Sequence, residues 1–264
     1  MSGATPPVRK LPPPEWEHSG LYGRVRDALA AMPSHFRPDV HITGLSAPNL
    51  HTLNTPLGAT IEEQATATLN AMRSTWDPDK KYSTYSFVRQ PQTFPDVRLV
   101  LAPGVSAGAR IIMGIELKGW YVFAKEGVPT YRFATTPAAC ALADLLVVVP
   151  WALSEVISGH PVMFAPFIES ARYVAQQRNY WWEHVRDAKG AKGVTKPPGA
   201  APYPGKADKI SDVPEHDGGS NFGRIARAHL MDDYMTGIKQ LPLAGVPISK
   251  WLTFFQNVAE PPAD

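Results

Sequence analysis

The order of helix and strand patterns in the middle of the chain constrains its fold most. Helical segments repeat apolar residues every three or four positions, whereas strand segments are rich in Val, Ile, Tyr and Thr and lie between turn-forming residues. In chain order the patterns predict a helix at 60–76, strands at 82–89, 97–102 and 110–125, a helix at 135–143 and a buried strand at 144–152. This alternation predicts an α/β fold with a sheet flanked by helices.

The rest of the chain predicts further helices around this core. Apolar periodicity indicates helices at 21–32, which stops before Pro33, and at 167–186. Asn221 is placed to cap a last long helix, FGRIARAHLMDDYMTGIKQL. Residues 1–20 are proline-rich and predict a flexible arm, and we expect residues 21–264 to form a single domain.

Composition excludes some classes of protein and leaves others open. The formal net charge of +2 permits nucleic-acid binding without requiring it. The single cysteine, Cys140, excludes an intrachain disulfide and a four-sulfur zinc site. The N-terminal residues lack the apolar centre of a signal peptide, and no apolar run is long enough for a comfortable bilayer span. We therefore expect a soluble, cytoplasmic protein.

One segment, FPDVRLVLAPGVSAGARIIMGIELKGW, contains a pattern of acidic and basic residues that is typical of a catalytic site. Asp96 begins one predicted strand, and Glu116 and Lys118 lie inside the next. Residues two apart in a strand point to the same face, so Glu116 and Lys118 project together while Leu117 faces the opposite side. If the two strands pair, Asp96 approaches Glu116, and two carboxylates and an ammonium group meet at one place.

Such a cluster suits the hydrolysis of a phosphodiester bond. Mg²⁺ prefers hard oxygen ligands and takes phosphate as a further ligand. Asp96 and Glu116 are the expected metal ligands, with the Leu117 carbonyl as an additional one. The expected role of Lys118 is either to orient the attacking water or to neutralise charge developing on the phosphate.

Pro95-Asp96 followed by Glu116-x-Lys118 on the next strand resembles the PD-(D/E)xK nuclease superfamily, which includes most type II restriction endonucleases. The resemblance covers roughly residues 58–152 and implies a restriction-endonuclease-like core, a mixed four-stranded sheet between helices in the order αβββαβ. It also implies a glutamate on the helix before the first core strand. Glu62 is the expected residue and Glu63 is the alternative. Glu62 is preferred because Glu63 already has a role in the predicted capping box with Thr60.

The acidic-x-lysine pattern alone is common. It recurs at Asp79/Lys81 and Asp187/Lys189, both in predicted turns without a strand around them. The alternative interpretation of Glu116 and Lys118 is a solvated pair on an exposed strand face. The flanking apolar residues and the upstream Pro-Asp favour the catalytic interpretation.

Several polar residues are candidates for contacts with DNA. Two lie on one face at the start of the last predicted helix beside its capping residue, and two directly precede the Pro-Asp strand: Arg224, Arg227, Asn221, Arg89 and Gln90. We expect residues 167–264 to form a helical, DNA-contacting part. Within it, the loop predicted between 187 and 220 contains lysines, in 189–209, that either follow a DNA backbone or belong to an ordinary polar linker.

Together these patterns predict a type II-like site-specific endonuclease that cuts double-stranded DNA with Mg²⁺, or with Mn²⁺ as a substitute. Because symmetric duplex cleavage usually needs two active sites, we expect a homodimer. The alternatives are a DNA repair or mobile-element nuclease, and a catalytically silent DNA-binding protein on the same scaffold.

Overall fold

A computed structural model describes residues 3–44, 54–90, 92–105, 110–124, 127–187, 189–217, 219 and 221–259. Its centre is a mixed sheet with six strands, whose bounds are β1 Tyr85–Arg89, β2 Val97–Leu101, β3 Ile111–Tyr121, β4 Leu145–Leu153, β5 Pro161–Met163 and β6 Phe167–Ser170. The strands lie in the order β1-β2-β3-β4-β5, and β6 pairs with β4 beside β5. The predicted α/β class is confirmed, with more strands in the sheet than the four expected.

The pairing follows the sequence order closely. β1, β2 and β3 form an antiparallel meander, and β4 then pairs parallel to β3. All nine residues of β4 are buried, as expected of a parallel strand covered on both faces. The continuous apolar run that predicts a buried strand is therefore explained by the central position of β4.

Two helices precede the sheet, namely α1 Ser19–His35 and α2 Asn54–Ala71, followed by the short α3 Arg73–Trp76. The helical face predicted for residues 60–76 is buried, with Ile61, Ala65 and Leu69 each no more than 1% exposed. Helix α2 begins before Thr60, so Thr60 lies inside the helix and the predicted capping box at Thr60 and Glu63 is wrong. Helix α1 continues through Pro33 and ends two residues later at His35, so the predicted stop before Pro33 is two or three residues early.

The helix predicted at 135–143 is wrong, since the structure has only a short 3₁₀ turn there, Pro137–Ala139. The backbone groups before this turn bind distant segments instead of each other. The Phe133 amide donates to Gly223 O and the Thr136 amide to Ile210 O. In a helix the Thr135 carbonyl would accept the Ala139 amide, but here it accepts Arg178 Nη1 over 3.0 Å and the Ala139 amide donates to Thr136 O. The crossover from β3 to β4 is therefore largely irregular.

The C-terminal half differs from its predicted helices in two places. Phe167–Ser170 pairs with β4 as β6, and helix α4, Ala171–Tyr180, begins only after Ser170, whose side chain accepts the Tyr173 amide. The predicted long helix after Asn221 is a 3₁₀ turn, Ile225–Ala228, followed by α5, Asp232–Gln240. Asn221 has a positive φ of 56° and caps no helix.

Smaller elements complete the chain. Two small antiparallel sheets precede the last helix, α6 Ile248–Ala259. They are β7 Val194–Thr195 with β8 Val213–Pro214, and β9 Pro242–Leu243 with β10 Val246–Pro247. The proline-rich N-terminal segment contacts α4 and β6, since Tyr180 donates to Ala4 O and Arg9 pairs with Glu169. Among the described residues, no helix has the length and apolarity needed to cross a membrane.

Candidate active site

The pairing of β2 with β3 brings Asp96 opposite Glu116. The register joins Val97 to Ile115, and Asp96 lies one position before this pair, so it comes level with Glu116. Directly opposite residues of antiparallel strands point to the same face. Two hydrogen bonds from backbone amides to carboxylates tie Asp96 to β3: the Asp96 amide donates to Glu116 Oε2 over 3.3 Å, and the Leu117 amide donates to Asp96 Oδ2 over 3.0 Å.

Close packing of Pro95 on Gly114 fixes where the Asp96 backbone lies. A Cβ atom on Gly114 would lie 2.2 Å from Pro95 Cγ and 2.9 Å from Asp144 Oδ1. Only glycine lets the proline ring approach β3 this closely. The buried Asp144 carboxylate, directly before β4, accepts the Gly114 amide over 2.7 Å and fixes β3 from the other side.

Lys118 bridges the two acids. Its Nζ lies 2.8 Å from Glu116 Oε1 and 3.3 Å from Asp96 Oδ2. Burial alone would lower the pKa of the ammonium group, but the adjacent carboxylates, Glu116 first, raise that pKa above its ordinary value. Lys118 is therefore a protonated cation at neutral pH rather than a base.

Glu116 is buried, with only 7% of its surface exposed. Burial raises the pKa of its carboxyl to about 7, and the negative charge of Asp96 adds to this rise while Lys118 opposes it. A solvated surface pair does not have these properties, so the interpretation of Glu116 and Lys118 as an exposed ion pair is wrong.

Helix α2 places Glu62 beside the same cluster. The helix is attached to the open edge of β1 by Asn70, which exchanges two hydrogen bonds with the backbone of Phe87. Burial and the charge of Asp96 raise the pKa of Glu62, whose carboxylate also pairs with Arg89 over 3.6 Å. The alternative residue, Glu63, is exposed to solvent.

Four sequence-predicted residues therefore meet, namely Asp96, Glu116, Lys118 and Glu62; we call them the acidic cluster. Three carboxylates face one lysine and the neighbouring Arg89. Within the described ranges, no three His, Cys, Asp or Glu side chains are already grouped as a metal site. In the acidic cluster, Lys118 Nζ lies within 3.3 Å of a carboxylate oxygen of Asp96 and of Glu116.

Leu117 contributes its backbone rather than its side chain, which is buried. Its amide points towards Asp96 and away from β4. The amide and the carbonyl of one strand residue point to the same side, so the Leu117 carbonyl also faces the acidic cluster.

The five predicted DNA contacts divide into two groups. Arg89 and Gln90 lie beside the acidic cluster, where Arg89 pairs with Glu62 and the Gln90 amide donates to Asp96 O. Arg224 and Arg227 lie on the 3₁₀ turn and not at the start of a long helix. Asn221 accepts a hydrogen bond from Arg132 at 2.7 Å. The geometry proposed for these last three, exposed side chains at a helix N-terminus, is therefore wrong.

Sequence patterns gave no reason to place residues 203–210 near the acidic cluster. A cavity of about 280 Å³ lies between this segment and the two acids Asp96 and Glu116. The Pro/Gly/Lys composition of residues 203–210 is typical of a linker. The only hint in the sequence that this segment packs against the domain is the pair of bulky residues Tyr203 and Ile210 among small ones.

Comparison with known proteins finds no matching family model, no matching curated protein and no matching solved structure.

Proposed function

We propose that this chain is an Mg²⁺-dependent endonuclease that hydrolyses phosphodiester bonds of double-stranded DNA. The observation that carries the proposal is the meeting of Asp96, Glu116 and Lys118 where β2 and β3 pair, with Glu62 beside them. A hydrophobic sheet has no structural need for three carboxylates there, because burying charge costs free energy. Perturbed acids next to a cavity are typical of functional sites.

The donor atoms suit a hard divalent cation. Asp96 and Glu116 offer carboxylate oxygens, the Leu117 carbonyl faces the same space, and one lysine leaves negative charge in excess. Burial is the first cause of the raised pKa of Glu116, and a bound cation would favour the charged form of this carboxyl. A bound Mg²⁺ would polarise the scissile phosphate and lower the pKa of a water molecule. Mn²⁺ is expected to substitute.

Lys118 and Glu62 have separate tasks in this proposal. The Lys118 ammonium keeps its proton, so it stabilises negative charge that develops on the phosphate oxygens rather than taking a proton from water. Glu62 adds a carboxylate on the helix side of the cluster, held by Arg89. Asp96 links the two strands and orients Lys118 through its Oδ2 atom.

We further propose that the enzyme is a cytoplasmic, sequence-specific restriction endonuclease that acts as a homodimer. Support for the nuclease core alone comes from the chain order of one helix, three antiparallel strands and a fourth strand parallel to the third, which agrees with the αβββαβ order except for its second helix. A DNA repair or mobile-element nuclease would use the same cluster. A DNA-binding protein without catalytic activity has no need of all three carboxylates of the acidic cluster.

The test is cleavage of plasmid and genomic DNA, modified and unmodified, with Mg²⁺ or Mn²⁺. We expect Glu116→Ala and Lys118→Ala to lose activity by roughly a hundredfold or more. Lys81→Ala is the matched control, because Lys81 follows an acidic residue at the same spacing but lies in an exposed turn, and it should keep full activity.

Thermal unfolding of each variant distinguishes loss of chemistry from loss of fold. Full activity in Glu116→Ala or Lys118→Ala would refute the assignment of the site. A wild-type protein that binds DNA but cuts none of these substrates would favour the silent binding protein instead.

A further inference from the structure

Residues 203–210 form a strap that is fixed at both ends. At the first end, the Arg98 guanidinium donates to Pro204 O over 3.1 Å and lies 5.9 Å from the centre of the Tyr203 ring. At the other end, the Thr136 amide donates to Ile210 O over 2.7 Å. Pro204 is buried. The strap is therefore part of the folded domain and not a free linker.

Arg98 also ties the strap to the strand that carries Asp96. It lies in β2, and its Nη2 atom donates to Phe94 O over 2.9 Å as well as to Pro204 O. One guanidinium group thus connects the strap with the segment directly before Pro95. The position of the strap relative to the acidic cluster is consequently set by β2.

The cavity of about 280 Å³ separates the strap from the acidic cluster. Its walls are residues 92–94, the carboxylates of Asp96 and Glu116, and strap residues that include Lys206 and Asp208. Within the strap, the Gly205 amide donates to Asp208 Oδ2 over 2.8 Å, so this carboxylate closes the turn that holds Lys206. Lys206 itself is exposed.

Charge decides what this cavity can accept. A phosphodiester is an anion, and the two acids on one wall, Asp96 and Glu116, repel it. Lys118 pairs with the acids, and Arg89 pairs with Glu62. In the part of the chain that the structure describes, Lys206 has no carboxylate within ion-pair distance, and among the cavity-lining residues it is the cation that remains for a substrate.

We propose that Lys206 contacts a phosphate of the DNA backbone next to the scissile one, and that the strap is the substrate-binding wall of the site. This inference rests on the proposed function. Tyr203 and Arg98 act as positioning residues for the strap, whereas Lys206 touches the substrate. The contact is with the backbone, so it strengthens binding without selecting a base sequence.

Lys209 supplies a matched control for Lys206. Both lysines are exposed and lie on the same strap, but Lys209 lines a different cavity, formed by residues 198–204 and Asp208, Lys209. Replacing either changes the net charge of the protein equally. A difference between Lys206→Ala and Lys209→Ala therefore reports position and not charge.

The experiment measures binding of a mixed-sequence DNA duplex by fluorescence anisotropy in Ca²⁺ at several salt concentrations, with cleavage followed separately in Mg²⁺. One lost phosphate contact reduces the slope of log K against log salt by about 0.9. We expect this reduction, and weaker binding by several-fold, for Lys206→Ala. We expect Lys209→Ala to match the wild type and Lys206→Arg to retain most of the affinity.

Equal slopes for Lys206→Ala, Lys209→Ala and the wild type would overturn the role of Lys206. If the wild type still cleaves DNA in that case, the proposed function stands and only the strap inference fails. Thermal unfolding checks that the alanine variants fold, which is expected because exposed substitutions away from special contacts change stability little.

Discussion

The buried charge of Glu116 makes stability depend on pH in a direction that can be calculated. Its pKa is about 7 in the folded protein and near 4.5 in the unfolded chain. Between these values the folded state holds the proton and the unfolded state releases it, so the free energy of unfolding falls as the pH rises. One pKa unit corresponds to about 1.36 kcal/mol, so the full loss above about pH 7 is roughly 3 kcal/mol.

Glu116→Gln removes the ionisation and keeps the shape of the side chain. The amide has one acceptor for two donors, Lys118 Nζ and the Asp96 amide, so part of the gain is lost. We expect the variant to be more stable than the wild type by roughly 1–3 kcal/mol at about pH 8, with the difference vanishing near pH 4.5.

The assay is urea unfolding followed by tryptophan fluorescence, in EDTA, across this pH range. Comparing the two proteins at each pH cancels the groups that they share. A difference that stays constant with pH, or a variant that is less stable at pH 8, would refute the reasoning, because the Glu116 charge would then be stabilised by its partners. The proposed activity should be lost in the variant at every pH.

Two further substitutions test the packing that supports the site. Gly114→Ala should destabilise the fold by about 1–3 kcal/mol, because its Cβ would overlap the Pro95 ring, whereas Gly237→Ala, in an exposed helical position with open space, should be neutral or slightly stabilising. Arg178→Met leaves the buried Asp212 carboxylate without its ion pair at 2.6 Å and should cost about 3–5 kcal/mol. Urea unfolding measures both, and an unchanged midpoint for Gly114→Ala or Arg178→Met would contradict the packing described.

The strands and the acidic cluster could be predicted from the sequence because their signals are local. Alternation along β3 places Glu116 and Lys118 on one face, and the antiparallel pairing of neighbouring strands brings Asp96 level with them. Helical periodicity buries Ala65 and thereby turns Glu62, three positions earlier, towards the sheet. Each of these inferences needs only the side-chain period of a strand (2 residues) or of a helix (3.6 residues) and a short connection between neighbouring elements.

The segments that were predicted wrongly depend on partners far away in the chain. The Phe133 and Thr136 amides donate to Gly223 O and Ile210 O, and the Thr135 carbonyl, which a helix would need as an acceptor, binds the Arg178 guanidinium instead. Asn221 adopts a turn in which the Phe222 amide donates to Asp217, a contact that a helix-capping pattern does not reveal. Composition alone likewise could not show that the strap lies against β2. That contact joins Arg98 to Tyr203, which are far apart in the chain and meet only in the folded domain.

The separation of the strap from the acidic cluster along the chain has a consequence for biosynthesis. The cluster is complete once Lys118 has been made, and the strands that surround it are complete by Leu153. The strap emerges from the ribosome only later, and Arg178 and Thr135 hold its far side through Asp212 and Ser211. Because chains fold from the N-terminus during translation, we expect a nascent chain to form the acidic cluster before the strap that contacts the substrate.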